Sequence, residues 1–314
     1  MSTSTTPLVD HIVILIPHSF LSAPPSWFAD LFHFYPGGRH ADGLTENTLA
    51  LLADGSYIEF IAFVPGGDPA KRAAHHWGSK KEGTVVDWAL TLPTSEEDEG
   101  DKVDGQGDAK KLRQQKAFVE IQRRVQDVHA GIEYADLLAG GRLRLDGEMV
   151  KWEVAFPKST DNSGEGPLER GTVPFWCLDV TPRQLRVPYD TAPDFAKHPS
   201  GAVGVAKIEV LVESGSTLEG ARGVYDALFG QNAKGTAADV ADGGAEWKVG
   251  TLAGQGIHSD GAVHLGAADG TKGLQVNISF FTDDKSLVGK SLGGKVDEEH
   301  TLTFHLVAAF SDSE

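Results

Sequence analysis

The sequence predicts an α+β fold assembled from repeated βαβββ modules. The order of one strand, one helix and then two or three strands occurs three times along the 314 residues. Each occurrence opens with an apolar run of strand length, at residues 8–16, 84–92 and 203–212. A helical pattern of apolar residues follows each run. Repetition of this kind indicates successive copies of one supersecondary unit.

The first module begins with a strand at 8–16 that Pro17 ends, because proline cannot donate to a sheet ladder. A helix is expected over about 19–34. Strands are expected at 47–52 and 56–63, joined by the turn residues Ala53-Asp54-Gly55.

The second module has a strand at 84–92, a helix over 112–138 that Gly140-Gly141 is expected to end, and a hairpin turning at Asp146-Gly147. The third module has a strand at 203–212 and a helix that ends at Phe229. Further strands are expected at 247–252, 263–265, 274–281 and 301–307.

Three regions are expected: a two-module domain at 1–181, a linker at 182–202 and a C-terminal module at 203–314. The linker carries four prolines. Residues 95–110 hold seven acids and two lysines, which predicts an acidic loop insertion over 95–111.

Composition limits the partners and the compartment. The net charge of −17 argues against nucleic acid, since phosphate binding needs a basic surface. No apolar run reaches the ~18 residues of a membrane span, and we expect neither a secretory signal nor a membrane partner. The single cysteine, Cys177, fits a reducing compartment, so a cytoplasmic protein is expected. Gly254-Gln-Gly256 lacks the strand–helix context of a nucleotide loop, and no nucleotide cofactor is expected.

Two polar residues lie inside apolar strands: His11 in the first and Glu59 in the strand at 56–63. Strand alternation places Tyr57, Glu59 and Ile61 on one face. A buried carboxylate is costly unless a cation, a metal or a hydrogen-bond donor meets it. If both strands line one concavity, His11 and Glu59 meet there, either as metal ligands or as a structural pair.

Seven segments resemble the glyoxalase-like domain of the vicinal oxygen chelate superfamily. They are DHIVILIP (10–17), PGGRH (36–40), Asn47, GSYIEFIAF (55–63), WALTLP (88–93), VKWEVAFP (150–157) and VPFWCLD (173–179). The resemblance implies paired βαβββ modules that form a half-open barrel, with a small-molecule site in the concavity and often a divalent metal. Superfamily members include isomerases, lyases, dioxygenases and metal-free binding proteins, so the fold leaves the function open.

The resemblance also implies metal ligands from the first and last strand of each module. The matching positions are His11, Glu59, Asp87 and Glu153. This oxygen-rich set suits Mn, Fe or Mg better than a structural Zn. Either Glu153 or Glu59 would then serve as general base. The alternatives are that Asp87 only caps a strand end and that Glu153 points to solvent.

Substrate contacts are expected from residues beside the Gly-Gly turn and from two tryptophans: Arg39, His40, Asn47, Trp88 and Trp152. Arg39 would hold an anionic group, or would instead pair with a local acid such as Asp42 or Glu46. His75 and His76 are not expected to share a metal, because adjacent residues of an extended chain point to opposite sides.

These features predict a metal-dependent isomerase, lyase or dioxygenase that acts on a small oxygenated or carbonyl-bearing molecule. The alternative is a metal-free protein that sequesters a small molecule in the same concavity. The third module offers only Lys207, Gln275 and Asn277 at the corresponding positions, so a structural role or a homodimer contact is expected there.

Overall fold

The computed structural model describes residues 6–93, 107–144, 146–160, 168–230, 244–252, 260–268 and 273–309. The helices are α1 Ser19–Ser22, α2 Ser26–Ala29, α3 Pro69–Ala74, α4 Gly107–Asp127, α5 Arg183–Arg186 and α6 Ser216–Phe229, with a 3₁₀ helix at Pro193–Ala196. The strands up to residue 160 are β1 Leu8–Leu15, β2 Tyr35–Arg39, β3 Thr45–Leu51, β4 Tyr57–Phe63, β5 Thr84–Thr91, β6 Ile132–Tyr134, β7 Leu138–Leu143, β8 Met149–Ala155 and β9 Pro157–Ser159. The remaining strands are β10 Phe175–Asp179, β11 Ala202–Val212, β12 Ala245–Val249, β13 Gly261–Ala267, β14 Gln275–Thr282, β15 Ser291–Lys295 and β16 Thr301–Ala308.

The first sheet joins two equivalent halves. Its strand order is β2-β3-β4-β1-β5-β10-β8-β7, with β1 and β5 antiparallel at the centre. In each half the first strand runs parallel to the last, β1 with β4 and β5 with β10. The edge strands β2 and β7 contact each other, so the sheet curves into a nearly closed barrel. The predicted α+β class and the paired modules are confirmed.

The second sheet has the order β12-β13-β11-β14-β16-β15 and forms the additional C-terminal unit. The strand predicted last in the third module, β14, pairs antiparallel with β11 and parallel with β16. It therefore opens a fourth group of strands, β14, β15 and β16, in which residues 283–290 between β14 and β15 contain no helix.

Strand alternation divides the apolar residues between two cores. On β4, Ile58, Phe60 and Ala62 face the main core, whereas Ile61 faces the inside of the barrel. The main core is shared by both sheets: the rings of Phe32 and Phe304 lie 5.3 Å apart. The barrel interior contains a second, smaller apolar cluster together with polar groups.

The segments around α4 differ from the prediction. The helix ends at Asp127 rather than at residue 138. Just after this end, His129 and Gly131 take positive φ angles of 50° and 70°. Gly140 and Gly141 instead lie in β7. Residues 95–106 of the predicted acidic loop lie outside the described residues. Residues 107–111, included in that loop, begin α4, since the Ala-Lys-Lys-Leu sequence at 109–112 has high helix propensity.

Four charged side chains are buried together at one end of the barrel: Asp10, Asp179, Arg183 and Arg186, called here the charge quartet. Arg186 lies 2.8 Å from Asp10 and 2.7 Å from Asp179, and Arg183 lies 2.6 Å from Asp10. Burial alone would raise the pKa of Asp10, but the two guanidinium groups hold this pKa well below its usual value. The quartet thus joins β1, β10 and α5. The division into domains at 182–202 stays a prediction.

No helix in the described ranges is both long and apolar enough to cross a membrane.

Replacing Arg186 by methionine is expected to lower the free energy of unfolding by about 3–5 kcal/mol, because two buried carboxylates lose a shared partner. Denaturant unfolding measures this loss. Arg123→Met is the control, because Arg123 forms only exposed ion pairs with Glu120 and Asp127. Equal stability of the two variants would contradict the importance of the quartet.

Candidate functional site

A cavity of about 240 Å³ lies on the concave side of the first sheet. Its polar lining includes His11, His40, Glu59 and Arg142. Its apolar lining includes Trp152, Val154, Phe156 and Phe175. A cavity with mostly apolar walls and a few convergent polar groups is the usual form of a small-molecule site.

Glu59 is the centre of the polar groups. Asn47 Nδ2 donates to its Oε1 at 2.5 Å, and His40 Nε2 lies 3.4 Å from the same oxygen. The other oxygen, Oε2, is 3.6 Å from His11 Nε2. Strand β4 positions the carboxylate, β1 positions His11, and the hairpin of β2 and β3 supplies His40 and Asn47. The predicted meeting of His11 and Glu59 is therefore present in the geometry.

Glu59 and His40 shift each other's pKa values. Burial would raise the pKa of Glu59, but the hydrogen bond and charge of His40, the charge that His11 carries when it is protonated and the Asn47 amide lower it to about 2. Burial would likewise lower the pKa of His40, yet Glu59 raises it above its ordinary value. Glu59 is thus ionised throughout the physiological pH range, and His40 holds a proton more firmly than a free histidine.

Asp10 fixes the orientation of His11. Its Oδ1 lies 2.5 Å from His11 Nδ1, while Arg183 and Arg186 also donate to the carboxylate. The His11 ring stacks on Tyr57 at 4.6 Å between centroids. A carboxylate on Nδ1 favours the tautomer that leaves Nε2 available, and here Nε2 faces Glu59.

The second half of the barrel does not repeat this pair. In the antiparallel pairing of β1 with β5, His11 lies opposite Ala89 and Val13 lies opposite Asp87. A two-fold rotation that exchanges the two halves of the barrel therefore places His11 on Asp87 and Val13 on Ala89. Val13 pairs with Glu59, and Ala89 pairs with Phe175. Phe175 therefore occupies the position equivalent to Glu59, and its ring cannot bind a metal.

The predicted four-residue metal set is not assembled, which corrects the expectation for Asp87 and Glu153. Asp87 is buried and accepts from Trp77 Nε1 at 3.1 Å and from Arg170. Glu153 points to α4, where Lys111 lies 2.8 Å away. The error for Glu153 has a topological cause: β8 is equivalent to β3, and the last strand of the second half is β10.

Only some of the residues predicted to contact the substrate line the cavity. His40, Asn47 and Trp152 line the cavity. Arg39 does not, because its exposed side chain pairs with Glu46 at 3.4 Å, as the alternative interpretation held. Trp88 is also a correction: it is fully buried in the main core and donates to Gly171 O at 3.1 Å.

Several cavity residues escaped sequence reasoning. The rings of His75 and His76 stack at 4.1 Å and both line the cavity, because the chain turns after α3 instead of staying extended. Burial lowers the pKa of His76 to about 3, so this side chain is neutral. Arg142 on β7 and Arg186 on α5 also reach the cavity. No local motif marks them, since only barrel closure brings them near β1.

Only half of the metal set implied by the resemblance reaches the cavity. Of its four positions, only His11 and Glu59 line the cavity. Among the described residues, Asp10, His11 and Cys177 form a compact group with ligand atoms within 4.8 Å of one another. That group is poorly suited to a cation, because both Asp10 oxygens face guanidinium groups and burial raises the pKa of Cys177 well above its usual value.

Glu59→Gln is expected to lower the pKa of His40 below the ordinary value of about 6.5. The substitution removes the carboxylate that raises this pKa, whereas the opposing effect of burial remains. Histidine NMR titration measures the change. Glu46→Gln, at a half-buried acid of the neighbouring strand that pairs with Arg39 and His18, is the control. An unchanged His40 pKa in Glu59→Gln would contradict the described geometry.

Comparison with solved structures supports the fold. A crystal structure of a hypothetical protein from Staphylococcus aureus is similar, with a TM-score of 0.59 and 12% identity over 96% of this chain and 100% of that chain. At this identity the likeness shows the fold alone. No curated protein matches the sequence.

Comparison with family models gives a match over most of the chain. The model described as a glyoxalase-like domain matches residues 9–222, which include both halves of the first sheet, α5 and β11. The motif resemblance, the paired modules and this match agree. The chain belongs to the glyoxalase-like domain family of the vicinal oxygen chelate superfamily.

Proposed function

We propose that this protein is an enzyme that moves a proton within a small carbonyl-bearing molecule, as an isomerase or a lyase does. The observation that carries the proposal is the series Asp10, His11 and Glu59, which runs from the buried charge quartet into the cavity. An oriented imidazole beside a cavity is the usual form of a general base.

The proposed base is His11. Asp10 accepts from Nδ1 and keeps Nε2 free to take a proton from the bound molecule. Glu59, ionised and 3.6 Å from Nε2, stabilises the imidazolium that forms. The negative charges of Asp10 and Glu59 thereby offset the positive charge that develops on the ring as the proton moves.

The proposed acid is His40. Because its pKa is raised, this imidazole keeps its proton to a higher pH than a free histidine does. This imidazolium can donate to a carbonyl oxygen as negative charge develops there. The apolar side chains around it, Trp152, Phe156 and Phe175, limit the access of water and so strengthen each of these electrostatic interactions.

A second candidate function is the metal-assisted form of the same chemistry, including dioxygenase reactions. It is favoured by the orientation of His11 Nε2 towards Glu59, since a carboxylate on the other nitrogen is the usual support of a metal-bound histidine. His11 and Glu59 would be the ligands from the protein. Elemental analysis of protein purified without chelator tests it, with about one Mn, Fe, Mg or Zn per chain expected.

His11→Asn is expected to slow proton exchange in a carbonyl substrate by about 100-fold or more. The assay follows exchange at the carbon next to the carbonyl by proton NMR in D₂O, over a set of small 2-oxo acids and 2-hydroxy ketones. His129→Asn is the matched control, because His129 is exposed and its positive φ of 50° suits asparagine.

Exchange by His11→Asn at the wild-type rate would contradict the proposal. Binding without exchange by the wild-type protein would also contradict it and would favour sequestration. Loss of exchange on adding a chelator, restored by one of the four metals, would favour the second candidate.

A further inference from the structure

Among the described residues, the buried and half-buried arginines of the barrel are matched by carboxylates, with one exception. Arg183 and Arg186 face Asp10 and Asp179, and Arg170 faces Asp87. Arg142 is only 6% exposed. Yet in the part of the chain that the structure describes, its guanidinium makes no ion pair and no hydrogen bond.

The surroundings of Arg142 do not compensate its charge. Burial lowers the pKa of its guanidinium, and Tyr57 and Glu59 oppose this effect only from a distance. Glu59 is itself occupied by His40, His11 and Asn47. A buried cation without a partner is costly, whereas an anion bound beside it would remove most of that cost.

Arg142 lies at the junction of two spaces. It lines the cavity that contains His11 and Glu59, and it also lines a neighbouring pocket of about 270 Å³ bounded by Tyr35, Arg144 and Phe195. The side chain of Arg142 can therefore contact a ligand bound in the cavity. Gly38, on the opposing edge strand, has no side chain. A Cβ at this position would lie 3.9 Å from Arg142 Nη1.

The apolar wall indicates the rest of the ligand. Trp152, Phe156 and Phe175 line the same cavity. Its volume of about 240 Å³ exceeds the ~150 Å³ that encloses benzene in an engineered protein cavity. One ring or a branched chain of similar size therefore fits beside a carboxylate.

The geometry points to a small organic carboxylate with an aromatic or branched apolar body as the ligand of this site, its carboxylate bound by Arg142. A guanidinium offers two parallel donors that match the two oxygens of a carboxylate. The inference rests on the proposed function for the site and adds the class of substrate to it. Arg142 is the anchoring residue, and it takes no part in the proton transfer.

The test compares charged and neutral ligands of the same shape by titration calorimetry: phenylacetate with phenylacetamide, and benzoate with benzamide. Wild-type protein is expected to bind a carboxylate more tightly than its amide by about tenfold or more. Arg142→Met is expected to abolish this preference while leaving amide binding unchanged. Arg39→Met, at the exposed arginine of β2, is the control and should keep the preference.

Two further readouts separate anchoring from a structural role and from the proposed chemistry. The melting temperature of Arg142→Met should equal or exceed that of the wild type, since no protein partner is lost. His11→Asn should bind phenylacetate with nearly wild-type affinity, so failure of the proton-transfer proposal would leave this result unaffected. Binding of neither carboxylate, equal binding of acid and amide, or an unchanged preference in Arg142→Met would overturn the inference.

Discussion

The site depends on how the charge of Asp10 is neutralised. This carboxylate is fully buried on β1, and it remains ionised because Arg183 and Arg186 lie against it. One of its oxygens, Oδ1, also faces Nδ1 of His11. One buried anion therefore serves two purposes: it joins α5 to the end of the barrel, and it orients the imidazole that enters the cavity. A segment whose prolines suggest a linker thus contributes directly to the geometry of the site.

The two halves of the barrel have equivalent backbones and different chemistry. The first half presents His11 and Glu59 to the cavity. The second half presents Phe175 at the position of Glu59, and it buries Asp87 against Arg170. His11, His40 and Glu59 consequently come from the first half, whereas Trp152, Phe156 and Phe175 come from the second. Such asymmetry suits a ligand with one polar end and one apolar end, and it leaves two protein ligands for a cation where the superfamily pattern has four.

The sequence predicts the parts of this structure that depend on local patterns. Alternation along 56–63 assigns Glu59 to the concave face, and the apolar runs identify β1, β5 and β11 before any contact is known. Long-range pairing is not encoded locally. Residues 156–174, which include β9, separate β8 from β10 in the sequence. The last strand of the second half therefore cannot be recognised by position, and Glu153 is consequently assigned to the wrong place. Arg142 and Arg186 enter the site only when the barrel closes, and the stacked His75 and His76 depend on a turn that an extended pattern does not suggest.

The central claim is that Asp10 holds the proton of His11 on Nδ1 and so directs Nε2 to Glu59 and the cavity. A long-range proton–nitrogen NMR spectrum of the histidine rings at neutral pH tests this claim most directly, with His11 assigned by comparison with His11→Asn. The account predicts a protonated Nδ1 in the wild-type protein. An unprotonated Nδ1, with the ring proton on Nε2 alone, would contradict it.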